Sequence, residues 1–412
     1  MENKEITVSV DEAMKIIVSS VRPLGYENVS IIKSYNRVLY EDIISDIMVP
    51  PFDDSAMDGY AIITEDTRNA TPHNPALLKV IGEIQAGGSR HNQSVVRNTA
   101  IRIMTGAPVP AGADSVIQFE DTEEWAGHVK IFRETKKFEN YRFAGESIKK
   151  GDRVLAKGDR LSSADIGILA SLNYNTVKVY KQPTVSIIST GNEIAEIGED
   201  AHEDRIRNVN AYTLYSEIKK YSAIPDYLGI ARDSIEDTRA IFLKALKSDV
   251  IISTGGVSMG RYDLVKEIYD DLDIETQFEW IRVKPGRPCT FGKKDNKLIF
   301  GLPGNPVSTL TSFIQFVRPA LLRLMGTRRI AKPVVNAYLE EDVTKQSGKV
   351  HLLRGHFTIR NNEFYVSTTG NQKSSVLRSM SVANCLIIIP ENVTKVIKGE
   401  RVAIQLIDHD EI

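Results

Sequence analysis

The stretch from Asp249 to Asp263, DVIISTGGVSMGRYD, constrains the fold of this 412-residue chain more than any other. Val250, Ile251 and Ile252 form a β-branched apolar run, as expected of a strand buried on both faces in a parallel sheet. Gly255 and Gly256 then permit positive φ and a close approach of backbone to a neighbour, and a helix is expected from about Tyr262. Strand, glycine turn and helix start can leave backbone N–H groups pointing at an anion such as a phosphate. A tight βα connection with no ligand would carry the same residues.

The flanking sequence repeats this alternation. A strand over 185–189 ends in Thr190-Gly191-Asn192-Glu193, a helix is expected over 210–222, and a strand over 227–231 ends at Asp233. Ser234 is placed to cap a helix through Leu246. A strand over 297–301 ends in Leu302-Pro303-Gly304-Asn305, where Asn305 can cap a long helix from Pro306 to Met325 with proline at its first position. This order predicts a doubly wound α/β domain over 182–328. Ligands of such sheets bind beyond the carboxyl ends of the strands, and polar or glycine-rich sequence collects at four of those ends here.

The rest of the chain reads differently. Ser9 and Glu12 have the spacing of a capping box, followed by Val10, Ala13, Met14, Ile17 and Val21 at helical period. Residues 50–61, PPFDDSAMDGYA, put three carboxylates, a serine and a glycine into one loop behind two prolines, which is either a solvated turn or a site. Short β segments fill 61–138 around a rigid loop, RIMTGAPVPAGAD, and 150–158 reads as a hairpin. Ser162 and Asp165 can cap a further helix. After Pro333 short strands return, as in a small barrel or sandwich.

Composition removes several classes. The 52 basic and 54 acidic side chains leave a net charge of −2, which argues against a general nucleic-acid binder. Cys289 and Cys385 form no CxxC pair, so neither a zinc nor a redox site is implied, and reduced core thiols in the cytoplasm are expected. No signal-peptide pattern and no run near ~18 apolar residues occurs, so no membrane contact is expected.

Seven motifs in order, PFDDSAMDGYA, RIMTGAPVPAGAD, STGNE, STGGVSMGRYD, VKPGRP, GLPGNPVS and GNQKSSVLRSMSVAN, resemble the molybdopterin molybdenumtransferase family, which comprises MoeA and the E domain of gephyrin. The resemblance implies a multidomain α/β plus β architecture. Residues 1–48 with 140–181 would form a composite elongated domain, 49–139 a β-rich domain, 182–328 a MogA-like doubly wound α/β domain that binds molybdopterin, and 329–412 a C-terminal β-barrel. It implies an enzyme of molybdenum cofactor biosynthesis that inserts molybdate into adenylylated molybdopterin, with Mg²⁺-dependent release of AMP. A homodimer with the active site shared between subunits is implied, as is a MogA-type adenylyltransferase as a possible partner. Departures from the family pattern stand at Ser147 and Asn192, where acids are usual, and at Arg287, where a lysine is usual.

Within that resemblance, Gly255, Gly256 and Ser258 are expected to cradle phosphate, with Thr190 and Gly191 beside them and substrate contacts at Thr105, Arg142, Pro303 and Pro306. Glu193, Asp233 and Asp263 would repel a phosphorylated ligand unless a hard cation such as Mg²⁺ intervened, although Asp263 could instead cap its helix. Asp58, from the partner subunit, would act on the phosphoanhydride as base or by orienting water. Lys284, Arg287, Pro288, Arg354 and one of Ser374 and Ser375 map to contacts with the oxyanion, which needs cations and donors and no adjacent carboxylate. Lys284 and Arg287 could equally serve pterin phosphate. A tungstate-inserting paralogue, a molybdopterin adenylyltransferase and a non-catalytic scaffold are the alternatives.

Overall fold

The apolar run at the centre of the sequence becomes the centre of a sheet. In the computed structural model, which describes residues 6–87, 94–199, 204–256 and 264–407, every residue of the strand Val250–Thr254 is buried. It lies between Lys297–Leu302 and Thr184–Thr190, with Ile224–Ala231 beyond the latter, all four parallel. Pro288–Lys294 runs antiparallel beside Lys297–Leu302 and leads to Glu275–Ile281. The alternation of side chains divides the central strand between two cores. Val250 and Ile252 pack with Leu214, Ile218, Phe313 and Leu321, whereas Ile251 packs with Phe242 and Ile268. This two-sided burial of a parallel sheet is the doubly wound arrangement predicted.

Caps fix the helices as expected. Ser9 and Glu12 complete a capping box on Val10–Ser20, Ser162 and Asp165 do so on Ser163–Ser171, and Ser234 accepts from the Asp237 N–H at 3.1 Å to start Ile235–Ala245. The long helix is continuous from Pro306 to Leu324 but widens to π geometry over Phe313–Val317. Pro319 has no N–H to return to the carbonyl one turn back, and a widened turn accommodates that gap. Asn305 occupies the cap position but makes no side-chain cap bond, which leaves its amide to the cavities at this end of the sheet.

The N-terminal strand Thr7–Val8 pairs with Trp280 and Ile281, and Ala13 and Ile17 of the first helix are fully buried in the α/β core. The composite unit is built from two strand pairs beyond that helix. Tyr26–Ser30 pairs with Thr176–Tyr180, and Ile43–Ile44 pairs with Arg153–Leu155. The hairpin expected over 150–158 is therefore replaced by a long-range pair, because Leu155 finds apolar partners in Leu39 and Ile43 rather than among its lysine-rich neighbours. A six-stranded sheet from Gly59–Ile62 to His128–Ile131 forms the β-rich unit.

The C-terminal unit closes into a barrel. Val350–Arg360 pairs with both Glu363–Thr368 and Cys385–Ile389, while Val334–Leu339 and Arg401–Leu406 complete the ring. Val283–Lys284, from the α/β unit, adds to this sheet in register with Val350 and His351. That short pairing brings the VKPGRP turn against the barrel and creates a seam between the two units. No helix among the described residues is long and apolar enough to cross a membrane.

Candidate functional site

The seam encloses a cavity of about 1010 Å³. Lys284, Arg287, Pro288 and Pro303 line it from the α/β unit, and Arg354, Ser374 and Ser375 from the barrel. All six candidates for contact with the oxyanion thus share one space. Local sequence explains the placement: Gly286 holds φ +102° between Pro285 and Arg287, and a Cβ there would come within 2.6 Å of the Ser312 hydroxyl, so only glycine turns the chain this tightly. The Arg287 guanidinium lies 5.0 Å from the Trp280 ring centroid, which leaves its N–H fork open.

Arg354 is the unusual member. It is 1% exposed, the bulkiest of the fully buried side chains. Its Nε donates to the Ser379 hydroxyl at 3.1 Å and its Nη2 to the carbonyls of Asn371 and Lys373, each at 3.3 Å. No described carboxylate pairs with it, and burial pushes its pKa below the usual arginine value. A charge taken out of water without a counter-charge costs several kcal/mol, about what an anion in the adjoining space would offset.

Sequence reasoning missed part of this lining. Lys349, His351, Asn371, Gln372 and Lys373 also face the cavity. His351 interrupts the apolar run from Val350 to Leu353, and that was the only available signal. Burial first, and then Lys284, Lys345 and Lys349, push its imidazole down to about 4. The expectation of no carboxylate beside the oxyanion needs correction for the cavity as a whole, since Glu341 and Asp342 line it too. Both are committed to turns: Glu341 accepts from the Thr368 N–H at 2.6 Å and Asp342 from the Lys398 N–H at 2.8 Å. Five cations still face two carboxylates.

A second cavity of about 430 Å³ opens at the strand ends of the α/β sheet, lined by Thr190, Glu193, Thr254, Gly255 and Pro306. Asn305 and Ser375 border both cavities, so the two adjoin. Gly255 and Gly256 have φ +88° and +67°, the left-handed conformation that the turn required. The expectation of free N–H groups is corrected in part. Gly255 donates to Leu302 O at 3.1 Å and Gly191 to Ala231 O at 3.2 Å, because each turn ties its own strand to a neighbour. Their glycine character serves close packing: a Cβ on Gly255 would lie 2.8 Å from the Thr190 hydroxyl. Ser258 and Asp263 lie outside the described residues.

Glu193 and Asp233 are both exposed at these strand ends. Glu193 folds over Gly191, its carboxylate oxygens 2.4 and 2.6 Å from where a Cβ would stand, and makes no side-chain bond to a described residue. Asp233 accepts from the Asn192 N–H at 3.2 Å, and its own N–H donates to the Asn192 amide oxygen at 3.3 Å. Asn192 therefore locks the two loops together. No group of three metal-binding side chains occurs among the described residues. The two carboxylates are hard oxygen donors with free lone pairs, which suits a Mg²⁺ completed by phosphate and water.

Asp58, Thr105 and Arg142 line neither cavity. The acidic loop is internally braced. Asp53 accepts from the Tyr141 hydroxyl and the Ala144 N–H, both at 2.8 Å, and Asp54 from Arg142 Nε at 2.6 Å. Arg142 is thus committed to the loop. Thr105 donates both its N–H and its hydroxyl to one oxygen of Asp58 at 2.7 Å, which holds that carboxyl below the usual range. The other oxygen of Asp58 is exposed and accepts no bond from a described residue.

The same succession of units is found in known proteins. Residues 8–173 match the MoeA N-terminal region (domain I and II), residues 186–323 a probable molybdopterin binding domain, and residues 336–407 the MoeA C-terminal region (domain IV). The chain is 35% identical to the molybdopterin molybdenumtransferase of Staphylococcus epidermidis, over 94% of this chain and 92% of that protein. It is 34% identical to that of Staphylococcus aureus, over 99% and 97% respectively. The crystal structure of the molybdopterin biosynthesis moeA protein from Pyrococcus horikoshii OT3 superposes with a TM-score of 0.83 at 30% identity, covering 97% of this chain and all of that one.

Proposed function

The chain belongs to the molybdopterin molybdenumtransferase family, enzymes of molybdenum cofactor biosynthesis, and from that premise we propose that it inserts molybdate into adenylylated molybdopterin and releases AMP. The observation that carries the reading is Arg354: a buried guanidinium with no described carboxylate partner, facing a cavity that also collects Lys284, Arg287, Ser374 and Ser375. A tetrahedral dianion satisfies several such donors at once, and charge-assisted bonds of this kind are worth about 1.5–3 kcal/mol each.

The adjoining cavity at the strand ends takes the phosphorylated pterin. Thr190, Thr254, Gly255 and Pro306 line it, and Pro303 lines the seam cavity beside it. Glu193, on its lining, and Asp233, at the end of the neighbouring strand, would with Asp263 hold a Mg²⁺, which when bound neutralises charge on the phosphoanhydride. Asn305 and Ser375, at the border, orient the pterin end toward the oxyanion. Asp58 belongs to another unit of the molecule and lines neither cavity, so it acts in a homodimer, from the partner's β-rich unit, by orienting water at the phosphoanhydride through its free oxygen. The two buried thiols accord with work in the reducing cytoplasm. A MogA-type adenylyltransferase would supply the adenylylated substrate.

The test is incubation with adenylylated molybdopterin, Mg²⁺ and either molybdate or tungstate. AMP should be released with an oxyanion present and not in its absence. Release of no AMP with either oxyanion would sink the proposal, and release with tungstate alone would establish the tungstate-inserting alternative. Adenylylation of molybdopterin by the chain would make it an adenylyltransferase, and stoichiometric capture of a peptide without turnover would make it a scaffold.

A further inference from the structure

A second basic crevice lies away from both cavities, where the composite unit meets the end of the long helix. It measures about 680 Å³ and is lined by Asp159, Arg160 and Asp165 on one side and by Arg318, Arg328 and Arg329 on the other. Each carboxylate there is already engaged. Asp159 pairs with Arg328, and Asp165 accepts from the N–H and hydroxyl of Ser162 in its capping box. Three guanidiniums are left without a described counter-charge.

Two of them are held in place by neutral groups. Arg160 spans the units, its Nε donating to Asn36 O and its Nη2 to the Ser222 hydroxyl, both at 3.1 Å. Arg318 is 8% exposed, lies 5.0 Å from the Tyr221 ring centroid, and gives Nη1 to Ile330 O at 2.8 Å. Its Nε is buried with no hydrogen-bond partner, as is the hydroxyl of Thr327 on the same lining. Arg329 is exposed and pairs with no described residue. Burial and the nearness of Arg318 both lower the Arg160 pKa, so the two guanidiniums sense one another. Like charges brought together on a half-buried floor are unfavourable unless an anion joins them.

We propose that this crevice binds a phosphoryl group, as free phosphate or a phosphate monoester, held by Arg160, Arg318 and Arg329. A tetrahedral oxyanion offers oxygens to several guanidinium forks at once, whereas a single carboxylate is filled by one. The floor at Arg318 is too enclosed for a flat protein surface to reach, which favours a small ligand. Because the walls come from two units, the bound group clamps the composite unit onto the α/β unit. The closeness of the junction is shown by Gly158, where a Cβ would lie 2.7 Å from Arg328 Cγ.

Calorimetric titration of the full chain with inorganic phosphate and, separately, with AMP tests this. Arg354→Ala serves as the background in which the seam cavity has lost its buried cation. Saturable phosphate binding should persist in Arg354→Ala, weaken about tenfold or more when Arg160→Gln is added, and weaken severalfold when Arg329→Gln is added. Arg329 is exposed, so Arg329→Gln should melt at the wild-type temperature without phosphate and should show a smaller rise in melting temperature with it. AMP binding that Arg160→Gln weakens as much as it weakens phosphate binding would assign the crevice to a monoester, and AMP binding that is absent or unchanged by Arg160→Gln would assign it to free phosphate. Absence of saturable phosphate binding in Arg354→Ala, or binding unchanged by both Arg160→Gln and Arg329→Gln, would overturn the inference.

Discussion

The seam cavity and the acidic loop around Asp58 are built in opposite ways. In the seam, Lys284, Arg287, Lys349 and Lys373 face the cavity without an ion-pair partner among the described residues, and Arg354 touches only neutral oxygens. In the loop, Asp53 is spent on the Tyr141 hydroxyl and the Ala144 N–H, Asp54 and Arg142 on each other, and only one oxygen of Asp58 is left over. Unspent polar groups mark a place prepared for a ligand, since satisfying them locally would otherwise be favourable. Spent ones mark scaffolding. On the proposed reading, the difference is that between a site formed within one chain and a braced loop that presents a single carboxylate to a partner.

The largest expected effect tests that last step. Asp58→Asn should lower AMP release by about a hundredfold or more, the usual scale for loss of a general base or water-orienting carboxylate. Its fold should be unchanged, because the asparagine can still accept from Thr105. Mixed dimers sharpen the comparison: a chain with Asp58→Asn combined with a chain carrying Glu193→Gln should regain one working site of two. If mixing restores nothing although heterodimers form, the loop does not reach across to a partner and the contrast between the regions has another origin.

Next comes the seam. Arg354→Ala should raise the molybdate needed for half-maximal insertion by about 10- to 100-fold, equivalent to one charge-assisted contact. Affinity for the adenylylated pterin should stay nearly unchanged, measured by calorimetry without oxyanion. The reverse pattern would move the oxyanion elsewhere and leave the seam to pterin phosphate. Arg354→Met should be equally defective but melt no lower than the wild type, since an apolar side chain of similar length relieves an uncompensated buried charge. A large drop in melting temperature would mean that Arg354 is scaffolding after all.

The two regions also differ in how legible they were. The doubly wound sheet was readable because Val250, Ile251 and Ile252 are apolar on both faces and the caps at Ser9, Ser162 and Ser234 stand at the required spacing. The seam residues were readable only through the family motifs. Nothing in the sequence places Lys284 beside His351, because that pairing depends on a two-residue strand crossing between units. Lys349 and Lys373 were invisible for the same reason, being ordinary surface lysines until the barrel closes. The bracing of Asp53 and Asp54 by Tyr141, Ala144 and Arg142 spans about ninety positions, which no local pattern can encode. The glycine turn was misread in part. Its φ values were foreseen, but the N–H of Gly255 was assigned to a ligand when strand-end geometry gives it to Leu302.

The smallest expected effect concerns His351, and it separates the seam from ordinary barrel core. Its folded pKa is pushed down from 6.5 to about 4, so as pH falls the unfolded chain takes up this proton before the folded one does. The residue therefore costs no stability above about pH 6.5 and destabilises progressively from there down to about pH 4, the sign expected when the unfolded state binds more protons. His351→Gln should flatten that part of the acid unfolding profile and leave melting at pH 8 unchanged. The same imidazole reports on the cavity. A dianion bound beside it opposes the field of Lys284 and Lys349 and raises its pKa, so molybdate binding near pH 5 should take up a fraction of a proton. That uptake appears as a dependence of the calorimetric heat on the buffer's ionisation enthalpy. It should vanish in His351→Gln, whereas an uptake of the same size in that variant would show that the oxyanion does not sit where His351 can sense it.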